Sequence, residues 1–139
     1  MQYRKPPTWL PADLLEDAEN GDPIAVEACA LAKSLAGDLE DAGKLTAAYR
    51  PAFIKLCINW GIMTVSGRIM RKEGLTILTD RGTVRHPAAM TYKAAAQDVD
   101  RGFADFGLDP RSAATAKGNA QDAPDRPETS GAGQGVRLD

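Results

Sequence analysis

Five cations lie close together in the middle of the chain: Arg68, Arg71, Lys72, Arg81 and Arg85. The first three recur at three- and four-residue steps, a spacing that puts side chains on one face of a helix. Arg81 and Arg85 follow on a segment that also carries Thr76, Thr79 and Thr83. Guanidinium and ammonium groups interleaved with hydroxyls are the donors that contact phosphate oxygens in nucleic acids. Only Glu73 and Asp80 interrupt the set. Solvated surface or ion pairs between subunits would use the same residues equally well. Arg4 and Lys5 near the N-terminus, and Lys55 on a separate helix face, are rival cationic surfaces.

Catalytic chemistry has little to draw on. Hydrolysis of a nucleotide of the common kind needs a Gly-rich phosphate loop followed by Lys and Ser or Thr, and the sequence has none. His86 is the single histidine, which argues against zinc sites and against Ser-His or Cys-His nucleophiles. Standing before Pro87, it reads as a helix-start residue rather than a general base. The carboxylate pairs Asp98/Asp100 and Glu40/Asp41 have spacings that do not face one another on a helix. Cys29 and Cys57 are too few for a disulfide framework and lack metal-ligand spacing; small core hydrophobes is the simplest reading. The expectation is a protein without catalytic activity, metal or cofactor.

The elements that must position these residues are mainly helical. A Pro-rich N-terminal arm carries Trp9 as an aromatic anchor, and a short helix is expected over about 12–19. Asn20-Gly21-Asp22-Pro23 is a break, with Asp22 as cap and Pro23 in the first turn of the next helix. That helix runs over about 23–42 on a stripe of Ile24, Ala28, Leu31, Leu35 and Leu39, widened by Ala25, Ala32 and Ala36. Gly43 ends it. Thr46 is the expected cap of a long helix to about residue 72, although Pro51 argues for a later start. The two helices form an antiparallel hairpin, with Leu31, Leu35 and Leu39 facing Phe53, Leu56 and Trp60. Gly61 and Gly67 each cost that helix about 1 kcal/mol of propensity, which suits close approach of another backbone.

Leu75–Thr79 and Thr83-Val84 read as a short β-ribbon or an ordered loop around Asp80-Arg81-Gly82. After the short first helix and the two hairpin helices, one more is expected over about 87–106, with Tyr92, Ala96, Val99, Phe103 and Phe106 at helical steps and Gly107 as its stop. Residues 1–116 are thus expected to form one helical domain, which would carry any DNA binding and oligomerisation. Residues 117–139 have too little to bury and are expected to be disordered.

Composition points to assembly. Of 139 residues 43% are hydrophobic, but only 6% are aromatic and 23 are alanine. Ala-rich helices bury little area each, and burial against other copies would thicken a thin core. The net charge of −2 hides a partition. Residues 1–43 carry −6, residues 44–93 carry +7 and residues 94–139 carry −3. The middle segment therefore suits an anionic partner, or the acidic part of a neighbouring copy. No stretch approaches the roughly 20 apolar residues that span a bilayer. The N-terminus lacks the apolar run of a secretory signal, so a cytoplasmic location without membrane contact is expected.

The order of these signals resembles a family of short phage terminase small subunits. The matching pieces are Pro7-Thr8-Trp9-Leu10, then Gly43-Lys44-Leu45-Thr46, Gly74, Gly82, His86-Pro87-Ala88, and finally Phe106-Gly107-Leu108-Asp109-Pro110. Asp109 stands where the family pattern has Thr, and Arg111 follows Pro110 directly rather than a few residues later. The resemblance implies a protein that binds double-stranded viral DNA at a packaging start site in the host cytoplasm. It also implies assembly as a ring-shaped homo-oligomer and presentation of DNA to a large subunit that holds the ATPase and nuclease. Two rival classes remain: a helix-turn-helix regulator, for which the long second helix is a poor recognition helix, and a structural adaptor that contacts no DNA.

Overall fold

The computed structural model describes residues 3–108. The Asp109-Pro110-Arg111 segment and residues 117–139 lie outside the described residues. Four helices and one ribbon follow in order: α1 (Ala12–Glu19), α2 (Pro23–Asp41), α3 (Arg50–Glu73), β1 (Thr76–Thr79), β2 (Gly82–Arg85) and α4 (Pro87–Asp105), with a 3-10 turn at Ala47–Tyr49 before α3. The chain is thus mainly helical with a small two-stranded antiparallel sheet.

Local chemistry sets the boundaries. The Asp22 carboxylate accepts the Ala25 N–H at 2.9 Å, capping α2 with Pro23 in its first turn. Gly43, at φ +73°, ends α2 in a Schellman arrangement. The N–H of Lys44 returns to the Leu39 carbonyl at 2.9 Å and that of Gly43 to Glu40 at 3.0 Å. The α-helix expected from Thr46 begins at Arg50 instead. A helix running through residue 47 would drive the Pro51 ring into the carbonyl four residues back, so the chain makes a 3-10 turn first, and Thr46 gives no side-chain cap.

Helix α3 is the centre. It packs on α2 along one side and on α4 along another, while α1 packs on α2. The α2–α3 pair is antiparallel: Glu27 near the start of α2 meets Arg68 near the end of α3. The α3–α4 pair is antiparallel too, with Gly67 beside Tyr92 and Leu56 beside Gly102. Both close approaches rest on glycine. A Cβ on Gly61 would stand 2.4 Å from the Ile24 carbonyl oxygen, so backbone does approach there. At Gly67 the neighbour is the Tyr92 ring rather than backbone.

The face α2 buries is the alanine face. Ala25, Ala28, Cys29, Ala32 and Ala36 are buried together with Leu39, whereas Leu31 and Leu35 are half-buried. Small side chains let the helices come close, so the stripe meant to widen the contact is its middle. On the other side the core is larger: Phe53, Leu56 and Cys57 of α3 and Val99 of α4 are essentially inaccessible. The N-terminal arm folds onto this core. Pro7 and Leu10 are buried, and Trp9 meets Phe53 edge-on at 6.0 Å. Phe53 in turn meets Phe106 at 5.8 Å and 88°, and the Arg50 guanidinium lies 4.9 Å from the Trp9 ring centre. Tyr3 is tied to α2 through its N–H to the Lys33 carbonyl and its hydroxyl to Glu40.

Candidate nucleic-acid interface

The C-terminal end of α3 carries three of the five cations. Arg71 and Lys72 lie in its last turn and are exposed. Unpaired carbonyls give that end partial negative charge, which favours cations there. Arg68, one turn earlier, donates to Glu27 at 2.8 Å with half of its side chain in solvent. That ion pair ties α3 to α2 and partly neutralises Arg68. No feature of the sequence marked Glu27 as its partner.

Gly74, at φ +91°, ends the helix and releases the chain into the ribbon. Thr76 pairs with Arg85, Ile77 with Val84, Leu78 with Thr83 and Thr79 with Gly82. Asp80 and Arg81 form the turn. The Thr79 hydroxyl closes it by donating to the Gly82 carbonyl at 2.8 Å and accepting the Arg81 N–H at 3.2 Å. The register places Arg85 at the foot of the ribbon, opposite Thr76, which follows the last residue of α3 by three positions. Arg81 stands at the far end, about 10 Å away at roughly 3.3 Å of rise per residue. The predicted set therefore divides: Arg71, Lys72 and Arg85 share the foot, Arg81 marks the tip, and Arg68 belongs to the α2–α3 contact.

His86 fixes the foot. Its N–H donates to the Leu75 carbonyl at 2.8 Å, adding one rung below the ribbon. Its ring is buried, and Nδ1 accepts the Ala88 N–H at 3.0 Å, which caps α4. An accepting Nδ1 carries no proton, so Nε2 holds it and donates to the Glu73 carboxylate at 2.8 Å. One residue thus joins the end of α3, the ribbon and the start of α4, and both ring nitrogens are occupied. The carboxylate of Glu73, which interrupts the cation set in sequence, is engaged here.

Tyr92, which shares helical steps with Ala96, Val99, Phe103 and Phe106 in the sequence, is exposed and its ring covers Gly67. With Met70, Arg71, Gly74 and Leu75 it lines a shallow depression of about 390 Å³ at the end of α3. The helical glycine at position 67 was the available signal, but it does not say what lies over it. Among the described residues no cluster of three or more His, Cys, Asp or Glu side chains could hold a metal ion. No described helix is long and apolar enough to cross a membrane.

A family model described as the small subunit of phage terminase matches residues 30–123, more than half of the chain. The chain belongs to that family. No curated protein and no solved structure matches it. The matched part of this terminase small subunit takes in most of α2 and all of α3, the ribbon and α4. The N-terminal arm and α1 lie before it.

Proposed function

We propose that this terminase small subunit recognises double-stranded viral DNA in the host cytoplasm and presents its packaging site to the large subunit. It acts as a ring-shaped homo-oligomer and contributes no catalysis itself. The observation that carries the DNA reading is the exposure of Arg71, Lys72, Arg81 and Arg85 on a helix end and a ribbon, where Glu73, one of the two acids that interrupt the set, is already bound by His86. In a ring each copy repeats the set, so modest phosphate contacts add through effective concentration. The ring reading draws support from the family and from Leu31 and Leu35, half-buried beside an alanine seam. Residues 117–139 are assigned the docking of the large subunit, outside a domain of residues 1–116.

The test is the salt dependence of binding to duplex DNA. Each neutralised phosphate contributes about −0.9 to the slope of log affinity against log salt. Replacing Arg71 and Arg81 with Ala lowers affinity and flattens the slope while the oligomer mass is unchanged. If that variant binds like the parent and removal of the arm with Arg4 and Lys5 abolishes binding, the surface is the arm. A parent protein with no salt-dependent DNA binding is a structural adaptor instead.

A further inference from the structure

The two faces of the ribbon are unequal in a way that folding does not explain. Residues paired across a ladder share a face and successive residues alternate. The register therefore puts Thr76, Leu78, Thr83 and Arg85 on one face and Ile77 and Val84 on the other. The Ile77/Val84 face is the more sheltered: Ile77 is half-buried and Val84 is 40% exposed. Leu78, on the opposite face, is 83% exposed. It stands between Thr76 and Thr83, both exposed and neither hydrogen-bonded through its hydroxyl among the described residues. A bare leucine flanked by unused hydroxyls and an arginine adds nothing to the stability of this chain.

We propose that this outer face reads base edges in the major groove of duplex DNA, with Leu78, Thr83 and Arg85 as sequence-determining residues. The proposal rests on the DNA reading above and deepens it. The occupant follows from charge and shape. The ribbon carries Arg81 and Arg85 against one acid, Asp80, within a segment of net +7. Two strands roughly 4.8 Å apart with their side chains match the major groove, about 12 Å wide, and exceed the minor groove, about 6 Å wide. The residue types match what the major groove displays. Leucine methyls suit the thymine methyl, a threonine hydroxyl can donate or accept, and the arginine fork matches the two acceptors of guanine. The element is also stiff where a reader needs to be. The Thr79 hydroxyl locks the turn and the His86 N–H extends the ladder to Leu75, so little ordering is left for binding. The division of labour is then spatial: the end of α3 holds phosphates and the ribbon face reads sequence.

The experiment selects sites from a randomised duplex library with the full chain. The parent protein enriches a motif. Leu78→Ala, Thr83→Val and Arg85→Lys each relax about tenfold discrimination at one position of that motif. Arg85→Lys keeps the salt slope, because its charge is retained and only the fork is lost. Arg71→Ala does the reverse: it flattens the slope and leaves the motif intact. An unchanged motif in all three ribbon variants overturns the proposal, as does a parent protein that binds duplex DNA without enriching any motif; in both cases the DNA reading stands. Absence of any binding to duplex DNA overturns both.

Discussion

At the scale of single residues, Gly61 has less room for a side chain than the other helical glycines Gly67 and Gly102. A methyl group there would stand 2.4 Å from the Ile24 carbonyl oxygen, a backbone atom that cannot rotate aside. Gly61→Ala gains about 1 kcal/mol of helix propensity, but forcing α2 and α3 apart costs roughly 1–3 kcal/mol and also opens the alanine seam. The expected result is a lower thermal midpoint. Gly102→Ala should be milder, because its nearest neighbour is the end of the Leu56 side chain at 2.8 Å. An unchanged or raised midpoint for Gly61→Ala would mean that the helices do not approach there. The two thiols lie on either side of the same contact. Burial, and then the neighbouring Cys29, push Cys57 up to about 12, and burial raises Cys29 as well. A folded value above the unfolded one, near 8.5, favours the protonated folded state. The stabilisation is complete below about 8.5 and is lost as pH rises toward about 12. Denaturation midpoints should therefore fall through that alkaline window, and less so in Cys57→Ala. Labelling of native protein with a thiol reagent at neutral pH should be slow.

At the scale of elements, His86 gives the sharpest contrast. His86→Ala removes both the α4 cap and the bond to Glu73, and a lost cap alone costs about 0.5–2 kcal/mol. His86→Asn restores a cap acceptor but does not reach Glu73, so its stability in urea should fall between parent and Ala. Equal stability of the two variants would show that the cap contributes nothing. The elements themselves were largely legible in the sequence, because their limits are set by local chemistry: Asp22-Pro23, Gly43, Gly74, His86-Pro87 and Gly107 each act within one turn. The ribbon could be read as strand or loop, since four-residue strands carry little periodicity. What sequence could not supply is tertiary. Leu31 and Leu35 looked like the centre of the α2 face, yet closeness between helices favours the alanines. Tyr92 shares the helical spacing of Val99, yet its ring lies over Gly67 and is exposed. The cations formed one set along the chain, and only the pairing register and Glu27 divide them.

At the scale of the whole molecule, charge partition and the thin α2 face point the same way. Native mass measurement at micromolar concentration should find a closed oligomer of uniform size; a monodisperse monomer there removes the ring proposal. Deleting residues 117–139 should leave the helical circular dichroism and the oligomer mass as they were, since their composition offers too little to bury. The central position of α3 has a further, kinetic consequence. Its partners α2 and α4 are its neighbours along the chain, so most helix packing closes short loops. Low contact order of this kind goes with folding in microseconds to milliseconds. The N-terminal arm is different, because Trp9 reaches across the length of α1 and α2 to find Phe53. Long closures are entropically dearer, so the expected order runs outward from α3 with the arm docking last, and a Trp9 fluorescence change slower than the gain of helical circular dichroism on refolding is the check.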